Sequence, residues 1–477
     1  MKIYIQGEAN GYDTEHLVRI FYPDAVLEKG FPHKGDCVTA WAVGGRLACA
    51  VRENGRTAAA FARWDKKEKQ GFSLAALCYQ LLKAFTGRHP AWGLLTGVRP
   101  VRLFHDFRAA GKTEEEIERR FFDVFDVTPE KFSLAKATAA VQRPALEHVG
   151  ERDYSLYVSI PFCPTRCSYC SFVSRTVEKS KDLIGPYVGG LCRELEEIAA
   201  RAEKNRLRLK TIYIGGGTPT ALTAQQLRLL METIRRCFPT GQAEEYTVEA
   251  GRPDCTDAEK LSVLKEYGAT RISINPQTFS DEVLRAIGRR HTAEDVTGCF
   301  YEARRAGHDN INMDLIAGLP KDTPAGFEAS LDTALQLAPE NITVHTLTLK
   351  RASNLVVEHR AEEYGDVEAM LRACGRLPAA GYLPYYLYRQ KGTLRSLENT
   401  GYAKPGRMGL YNIYMMEEVH TILAAGAGAV TKLKAEKKGL IQRIFNYKYP
   451  AEYLKGFDEI LRRKEGVDAF YACHVYP

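Results

Sequence analysis

From residue 155 onward the chain repeats one pattern: a short β-branched run ending in Gly, Pro, Asn or Asp, then a longer stretch with apolar residues every three or four positions. The runs are LYVSI (156–160), TIYIG (211–215), YTVEA (246–250), RISIN (271–275), INMDLI (311–316) and ITVHTL (342–347). Segments between them, such as LIGPYVGGLCRELEEIAARAEK and SDEVLRAIGRRHTAEDVTGCFYEARRAG, are long enough for helical crossovers. Strands that alternate with crossovers pair in parallel. The pattern therefore predicts an α/β core over residues 151–355, built as a barrel or open partial barrel of six βα units. Its chemistry is expected at the carboxyl ends of the strands.

The flanks follow other patterns. Residues 1–150 begin with the strand-like pieces MKIYIQG, CVTAWAVGG, RLACAVRE and AAAFARW, then turn helical at SLAALCYQLLKAFTG and again from KTEEEIERRFFDVFDV. This predicts an amino-terminal α+β domain, to which no chemistry attaches. Its HPAWGLLTGVRPVRLFHDF segment reads as an ordered connector or docking surface. Beyond residue 355 the βα rhythm stops. An aromatic stretch, GYLPYYLYRQKG, precedes GYAKPGRMGLYN and AAGAGAV, and residues 356–477 read as a carboxyl-terminal α+β module on the substrate side.

Composition narrows the class. The 45% hydrophobic and 26% charged residues fit a folded globular chain, and no apolar run approaches bilayer length. The start MKIYIQGEANGYD lacks the apolar core of a signal peptide, so a cytoplasmic protein is expected. A net charge of +7 over 477 residues permits an acidic ligand without pointing to nucleic acid. Nine of the twelve cysteines have no ligand-type spacing and read as reduced core residues.

The other three stand apart. Cys163, Cys167 and Cys170 follow the first strand with spacing C-x3-C-x2-C, in SLYVSIPFCPTRCSYCSFVS. Thiolates this close on a loop suit one iron–sulfur cube. Structural zinc normally takes four protein ligands, and here Ser171, Phe172 and Ser174 occupy the following places. Three ligands on a four-iron cube leave one iron open to a small chelating cofactor. Gly215, Gly216 and Gly217 end the second strand where a backbone can approach a ligand closely, and Thr218-Pro219 fix the exit. Glu249 ends the third strand, as a carboxylate that binds ligand hydroxyls, a proton carrier or a satisfied structural acid. Asp314 interrupts an apolar strand, which is costly unless it is bonded or faces a site.

LYVSIPFCPTRCSYCSF, IYIGGGTP, VEAGRPD, SINPQTF and MDLIAGLP, in this order over about residues 154–350, resemble the radical S-adenosylmethionine (radical SAM) superfamily. Within it they resemble the oxygen-independent coproporphyrinogen III oxidases, or coproporphyrinogen dehydrogenases. LLTGVRP and KPGRMGLYNIYMMEE look like the longer HemZ-type branch. The resemblance implies a partial (βα)6 radical SAM barrel and one 4Fe-4S cluster on Cys163, Cys167 and Cys170. It also implies a SAM site of Tyr157, Tyr169, Gly216, Gly217, Thr218, Glu249, Gln277, Arg289 and Asp314, with Glu249 as the catalytic candidate. Either Arg289 or its neighbour Arg290 can be the solvated one of the pair.

The activity it implies is radical removal of a hydrogen from propionate side chains of coproporphyrinogen III. Loss of carbon dioxide and an electron then gives the two vinyls of protoporphyrinogen IX in haem biosynthesis. A reducing donor such as flavodoxin or ferredoxin is implied as partner, with no membrane span. A tetrapyrrole with four carboxylates suits basic and aromatic residues. The candidates are Arg389, Tyr386 and Tyr388, then Arg351, Lys391, Arg395, Lys404, Arg407 and Tyr385; solvated charges and packed tyrosines are the plainer alternative. Two departures bear on the substrate. Ser171-Phe172 stand where the best-known decarboxylases carry a further cysteine. The related haem chaperones carry a late His-Asn…Tyr-Trp motif where this chain reads Tyr411, Asn412, Ile413, Tyr414, Met415. A haem-binding protein on the same fold and a radical SAM enzyme acting on another tetrapyrrole are the alternatives.

Overall fold

Each of the six runs forms a strand and divides its side chains by parity. The computed structural model describes every residue except 8–10, 33, 66–67, 98, 171–173, 350–352, 354–363, 436–438 and 476–477. The strands are β6 (Asp153–Ile160), β9 (Arg208–Gly216), β10 (Glu245–Glu249), β11 (Arg271–Ser273), β12 (Ile311–Ala317) and β13 (Asn341–Thr346), numbered along the chain with those named below. One parity is apolar and buried, as in Leu156, Val158, Ile212, Ile214, Val248 and Ile272. The other is mostly polar, with Ile316 an apolar member. Register aligns it in rows: Tyr157, Tyr213, Thr247 and Arg271 are successive partners, and Glu249, Ser273, Asn312 and Asn341 form another row.

These polar groups bond to one another. Ser155 Oγ lies 2.6 Å from Thr211 Oγ1, and the Thr247 hydroxyl donates to Glu245 Oε1 at 2.9 Å. Thr343 donates to Asn312 Oδ1 at 2.9 Å, and Asn312 Nδ2 to Asp314 Oδ1 at 2.7 Å. Five helices after these strands start at side-chain caps. Thr223 and Thr292 close capping boxes with Gln226 and Asp295, while Asp257, Ser280 and Thr323 cap three more.

Contacts divide the chain into two units. The first comprises residues 1–137 and 388–398. Its five-stranded sheet runs in the order β2 (Val26–Leu27), β1 (Lys2–Gly7), β3 (Cys37–Val43), β4 (Arg46–Glu53), β5 (Arg56–Arg63). Gly44-Gly45 and Asn54-Gly55, all at positive φ, make the two tight hairpin turns. Helices α1 (Tyr12–Phe21) and α2 (Gln70–Thr86) cover one face through Leu17, Phe21, Leu74 and Tyr79. In the same unit Glu398, buried, accepts from Trp92 Nε1 at 2.8 Å and from the buried Lys131 Nζ at 2.7 Å.

The second unit comprises residues 138–387 and 399–477. Its sheet is open, with strand order β14-β15-β13-β12-β11-β10-β9-β6-β16-β17-β18. Here β14 is Leu383–Arg389, β15 Glu398–Ala403, β16 Thr421–Ala425, β17 Val430–Ala435 and β18 Leu440–Phe445. A further two-stranded pair joins β7 (Phe162–Cys163) and β8 (Arg175–Thr176). Strand β16 pairs in parallel with β6, so a seventh parallel strand comes from a segment without the βα rhythm.

A buried ion pair holds that junction. Glu194, on α6 (Lys181–Lys204), accepts from Lys464 Nζ at 2.9 Å, Tyr453 Oη at 2.7 Å, Asn446 Nδ2 at 2.7 Å and Gly426 N at 2.8 Å. The turn after β16 in turn holds the end of β6. Ser159 Oγ donates to Ala427 O at 2.9 Å, and Tyr187 bridges Ser159 O and Ala427 N. Among the described residues no helix is long and apolar enough to cross a membrane.

Removing one member of a fully buried pair strands the other, which costs about 3–5 kcal/mol. Lys464→Met is therefore expected to lower the stability of the second unit by about that amount in urea unfolding. Adding Glu194→Gln should restore part of the loss.

Candidate functional site

The end of β6 delivers the cysteine loop. Two residues past Ser159, Pro161 leads into Phe162–Cys163 of β7, whose chain is held by Arg175 N on Pro161 O at 3.0 Å and Val177 N on Cys163 O at 2.9 Å. The loop is tied to the segment after α9 (Asp281–Ala286), with Ser168 N donating to Ile287 O at 3.0 Å and Thr165 Oγ1 to Gly288 O at 3.3 Å. Cys167 is buried, Cys163 and Cys170 are half-buried, and none is in a disulfide. Burial pushes the Cys163 thiol up from its ordinary value.

Two buried arginines face this loop. Arg252, three residues beyond Glu249, donates Nη1 to Cys167 Sγ at 3.4 Å and Nη2 to Thr165 Oγ1 at 2.9 Å. Its Nε and Nη2 also grip Asp254 at 2.9 and 2.7 Å. Arg289 donates Nη1 to Asn275 O at 2.7 Å and Nη2 to Tyr169 Oη at 3.2 Å, while Arg290 is exposed. The solvated member of that pair is thus Arg290.

The glycine run is set by close approach. A Cβ on Gly217 would lie 2.6 Å from Phe162 O and 3.0 Å from Cys163 Sγ, and one on Gly215 would lie 3.0 Å from Glu249 Oε1. Gly216 has φ +111°, a conformation open to glycine. Thr218 Oγ1 then reaches Cys163 Sγ at 3.6 Å. The second strand therefore ends against the first cysteine.

Beside it the polar rows supply titratable groups. Glu249 is half-buried and accepts from Tyr213 Oη at 2.6 Å. Burial pushes its carboxyl up to about 7, against the Tyr213 hydrogen bond and with help from the charge of Asp314. Asp314 moves the other way. Burial would raise it, but His345, 3.7 Å away, and the Asn312 hydrogen bond hold it below its ordinary value. Gln277, at φ +68°, bonds its backbone into β12 through Asp314 O and Ile316 N. A left-handed glutamine is a strained choice, kept where the surroundings over-determine it. Tyr157 lies in a loose aromatic group, its ring 6.2 Å from those of Tyr213 and Tyr411, which stack 4.5 Å apart.

The sequence reading missed Tyr213, Arg252, Asn275, His345 and Tyr411. Strand parity carried the signal for Tyr213 and His345, since each sits two residues from a polar neighbour on the same face.

The substrate candidates fare differently. Arg389 is buried in the first unit, and its Nε, Nη1 and Nη2 donate to the backbone carbonyls of Ser396 and Leu95. Its guanidinium is committed to holding the chain rather than presented to a carboxylate. Tyr388, also in the first unit, accepts from Gln390 Nε2 at 3.2 Å. Tyr385 and Tyr386 are buried in the second unit, with the Tyr386 ring against Gly401. Lys391 donates to Tyr12, Lys404 to Ala338 O at 2.7 Å, and Arg407 faces Asp309 at 3.5 Å. Arg395 stands at φ +54° in the connection between β14 and β15. Ser171, Phe172 and Arg351 lie outside the described residues.

The residues present fit an iron–sulfur cube and a polar cofactor beside it. Three soft thiols share one loop, the lack of a side chain at Gly217 leaves room beside Cys163, and a guanidinium N–H points at Cys167. Among the described residues no three Cys, His, Asp or Glu side chains converge as ligands of a single ion do. Ligands to separate corners of a cube need not meet. Asn275 Oδ1 and Arg289 Nε, next to Tyr169, are buried without a hydrogen-bond partner, which suits a polar ligand at this end of the sheet.

Comparison with known proteins bears on this arrangement. The radical SAM superfamily profile matches residues 157–334. The chain is 39% identical over 412 residues to the oxygen-independent coproporphyrinogen-III oxidase-like protein HemZ of Bacillus subtilis, covering 84% of this chain and 82% of that one. It is 42% identical over 197 residues to the heme chaperone HemW of the same organism, covering 41% of this chain and 51% of that one. Among solved structures, the coproporphyrinogen III oxidase HemN from Escherichia coli, described as a radical SAM enzyme, superposes with TM-score 0.53 at 24% identity. That match covers 67% of this chain and 72% of the other and shows a shared fold.

A carboxyl held at about 7 when folded, against an ordinary 4.5, contributes stability that is fully present below 4.5 and is lost as pH rises through 7. Glu249→Gln removes that dependence. Melting temperatures of the metal-free proteins should diverge between pH 4.5 and 7, the parent losing ground to the variant as pH rises. A difference that stays flat across this window would place the Glu249 titration elsewhere.

Proposed function

This chain belongs to the radical SAM superfamily, in its oxygen-independent coproporphyrinogen-III oxidase-like family, and from that premise we propose that it oxidatively decarboxylates two propionates of coproporphyrinogen III to vinyls. The observation that carries the reading is 39% identity along most of the chain to the oxidase-like relative, whereas the heme chaperones matched over a comparable share of their own length are 28–30% identical. The helix Leu410–Glu417 supports it: residues 411–415 hold neither histidine nor tryptophan, and Tyr411 stacks on Tyr213 instead.

In this reading Cys163, Cys167 and Cys170 hold the 4Fe-4S cluster, and Gly216, Gly217, Thr218, Tyr157, Tyr169, Gln277, Arg289 and Asp314 hold SAM. When bound, the cluster supplies the electron that cleaves SAM, and SAM supplies the hydrogen-abstracting group. The chain itself binds, orients and keeps water out. Arg289 and Asp314 are charges of opposite sign, each fixed by hydrogen bonds, suited to a zwitterionic amino acid moiety. Glu249, poised near neutrality beside the Tyr213 hydroxyl, can hold or release a proton at its carboxyl. A reducing protein such as flavodoxin or ferredoxin supplies the electrons.

The test is anaerobic incubation of the reconstituted chain with reductant, SAM and coproporphyrinogen III. Mass spectrometry should show loss of two carbon dioxide units, and Ser at Cys163, Cys167 or Cys170 should abolish both the cluster and SAM cleavage. SAM cleavage without product would reject the substrate. Stable haem binding without turnover would favour the second reading, a haem chaperone, which the 42% identity to HemW supports.

A further inference from the structure

We propose that Arg252 is a positioning residue that raises the reduction potential of the cluster by donating an N–H···S hydrogen bond to Cys167. The inference rests on the reading that Cys163, Cys167 and Cys170 carry that cluster. Four contacts fix the guanidinium: Nη1 to Cys167 Sγ at 3.4 Å, Nη2 to Thr165 Oγ1 at 2.9 Å, and a two-point grip on Asp254 at 2.9 and 2.7 Å. The side chain is 4% exposed, so water does not compete for its N–H groups. The planar fork lets one edge lock onto the carboxylate while an N–H remains directed at sulfur.

The sequence context explains why an arginine reaches this point. Strand β10 ends at Glu249, and Ala250-Gly251 turn the chain so that a Cβ on Gly251 would lie 3.1 Å from Asn275 Nδ2. Arg252 then stands directly before Pro253, which opens the one-turn helix Pro253–Cys255 that includes its partner Asp254. Glu249 and Arg252 therefore share one short segment, the first beside the glycine run and the second against the cysteine loop.

A thiolate that ligates iron carries more negative charge in the reduced cluster than in the oxidised one. A fixed donor aimed at that sulfur stabilises the reduced form more, and hydrogen bonds to cluster sulfurs are a recognised determinant of potential. A hydrogen bond to a charged group is of a size that shifts an equilibrium about tenfold.

The experiment is a redox titration, followed by electron paramagnetic resonance, of the anaerobically reconstituted full chain, with iron and sulfide content matched between proteins. Arg252→Gln should lower the ratio of reduced to oxidised cluster about tenfold at a fixed potential, which is about 59 mV for a one-electron couple. Arg252→Lys keeps the charge but loses the fork and should fall between Gln and the parent. Arg290→Gln removes an exposed charge next to Arg289 and should leave the midpoint where it was. Midpoints equal to the parent in cluster-loaded Arg252 variants would overturn the proposal, as would an equal shift in Arg290→Gln. So would loss of the cluster from both Arg252 variants with circular dichroism unchanged, since the residue would then serve assembly. A parent that takes up no cluster at all fails the underlying reading instead.

Discussion

A run of parallel strands that keeps one face largely polar must satisfy each of those groups largely away from water, and much of the second unit follows from that constraint. An unbonded buried polar group costs as much as several good contacts return. The face therefore reads as pairs across neighbouring strands: Ser155 with Thr211, Asn312 with Thr343, Tyr213 with Glu249. Among the described residues Asn341 Oδ1 and Arg271 Nε are exceptions. Arg271 is 2% exposed with Nε unpartnered, and the through-space attraction of the Glu245 and Asp314 carboxylates works against the cost of its burial. Glu249 and Asp314 sit in one electrostatic environment yet shift in opposite directions, because Asp314 has a histidine and an asparagine beside it and Glu249 has a phenol. Separating two carboxyls in this way gives one that can hold a proton near neutrality and one that stays charged.

The core was legible because its signals are local. Parity, β-branching and crossover length marked all six strands, and β6, β9, β12 and β13 contain or nearly match the runs that announced them. The cysteine spacing and glycine run were legible for the same reason, each being a short motif at a strand end. What escaped was long-range. TILAA of β16 is a short apolar run without a crossover before it, so nothing local says that it pairs with β6 across more than 250 residues of sequence. Arg389 shows the same limit. Its neighbours Tyr385 and Tyr386 suggested a ring-binding surface, and only the fold reveals that its donors are taken by Ser396 and Leu95. Arg252 escaped because VEAGRPD draws attention to its glutamate, while the arginine's partner lies 85 positions earlier.

The glycine run and the cysteine loop fix each other. Gly217 N donates to Ile160 O and Thr218 N to Phe162 O, both at 2.8 Å, so the strand that ends in glycine is stitched to the chain that leads into Cys163. The thiols are thereby referenced to the sheet rather than to a free loop. A site built on strand ends in this way inherits their rigidity.

The first unit is discontinuous in sequence, and that has a consequence for how the protein is made. Residues 1–137 leave the ribosome early, yet Lys131 and Trp92 find their carboxylate partner only when Glu398 has been synthesised. Domains generally fold in order of emergence. Here the Lys131 ammonium group, which the finished fold buries, has its carboxylate partner only after the six βα strands of the second unit have been translated. Burial of that ammonium group is thus tied to a residue made long after residues 1–137 of the same unit.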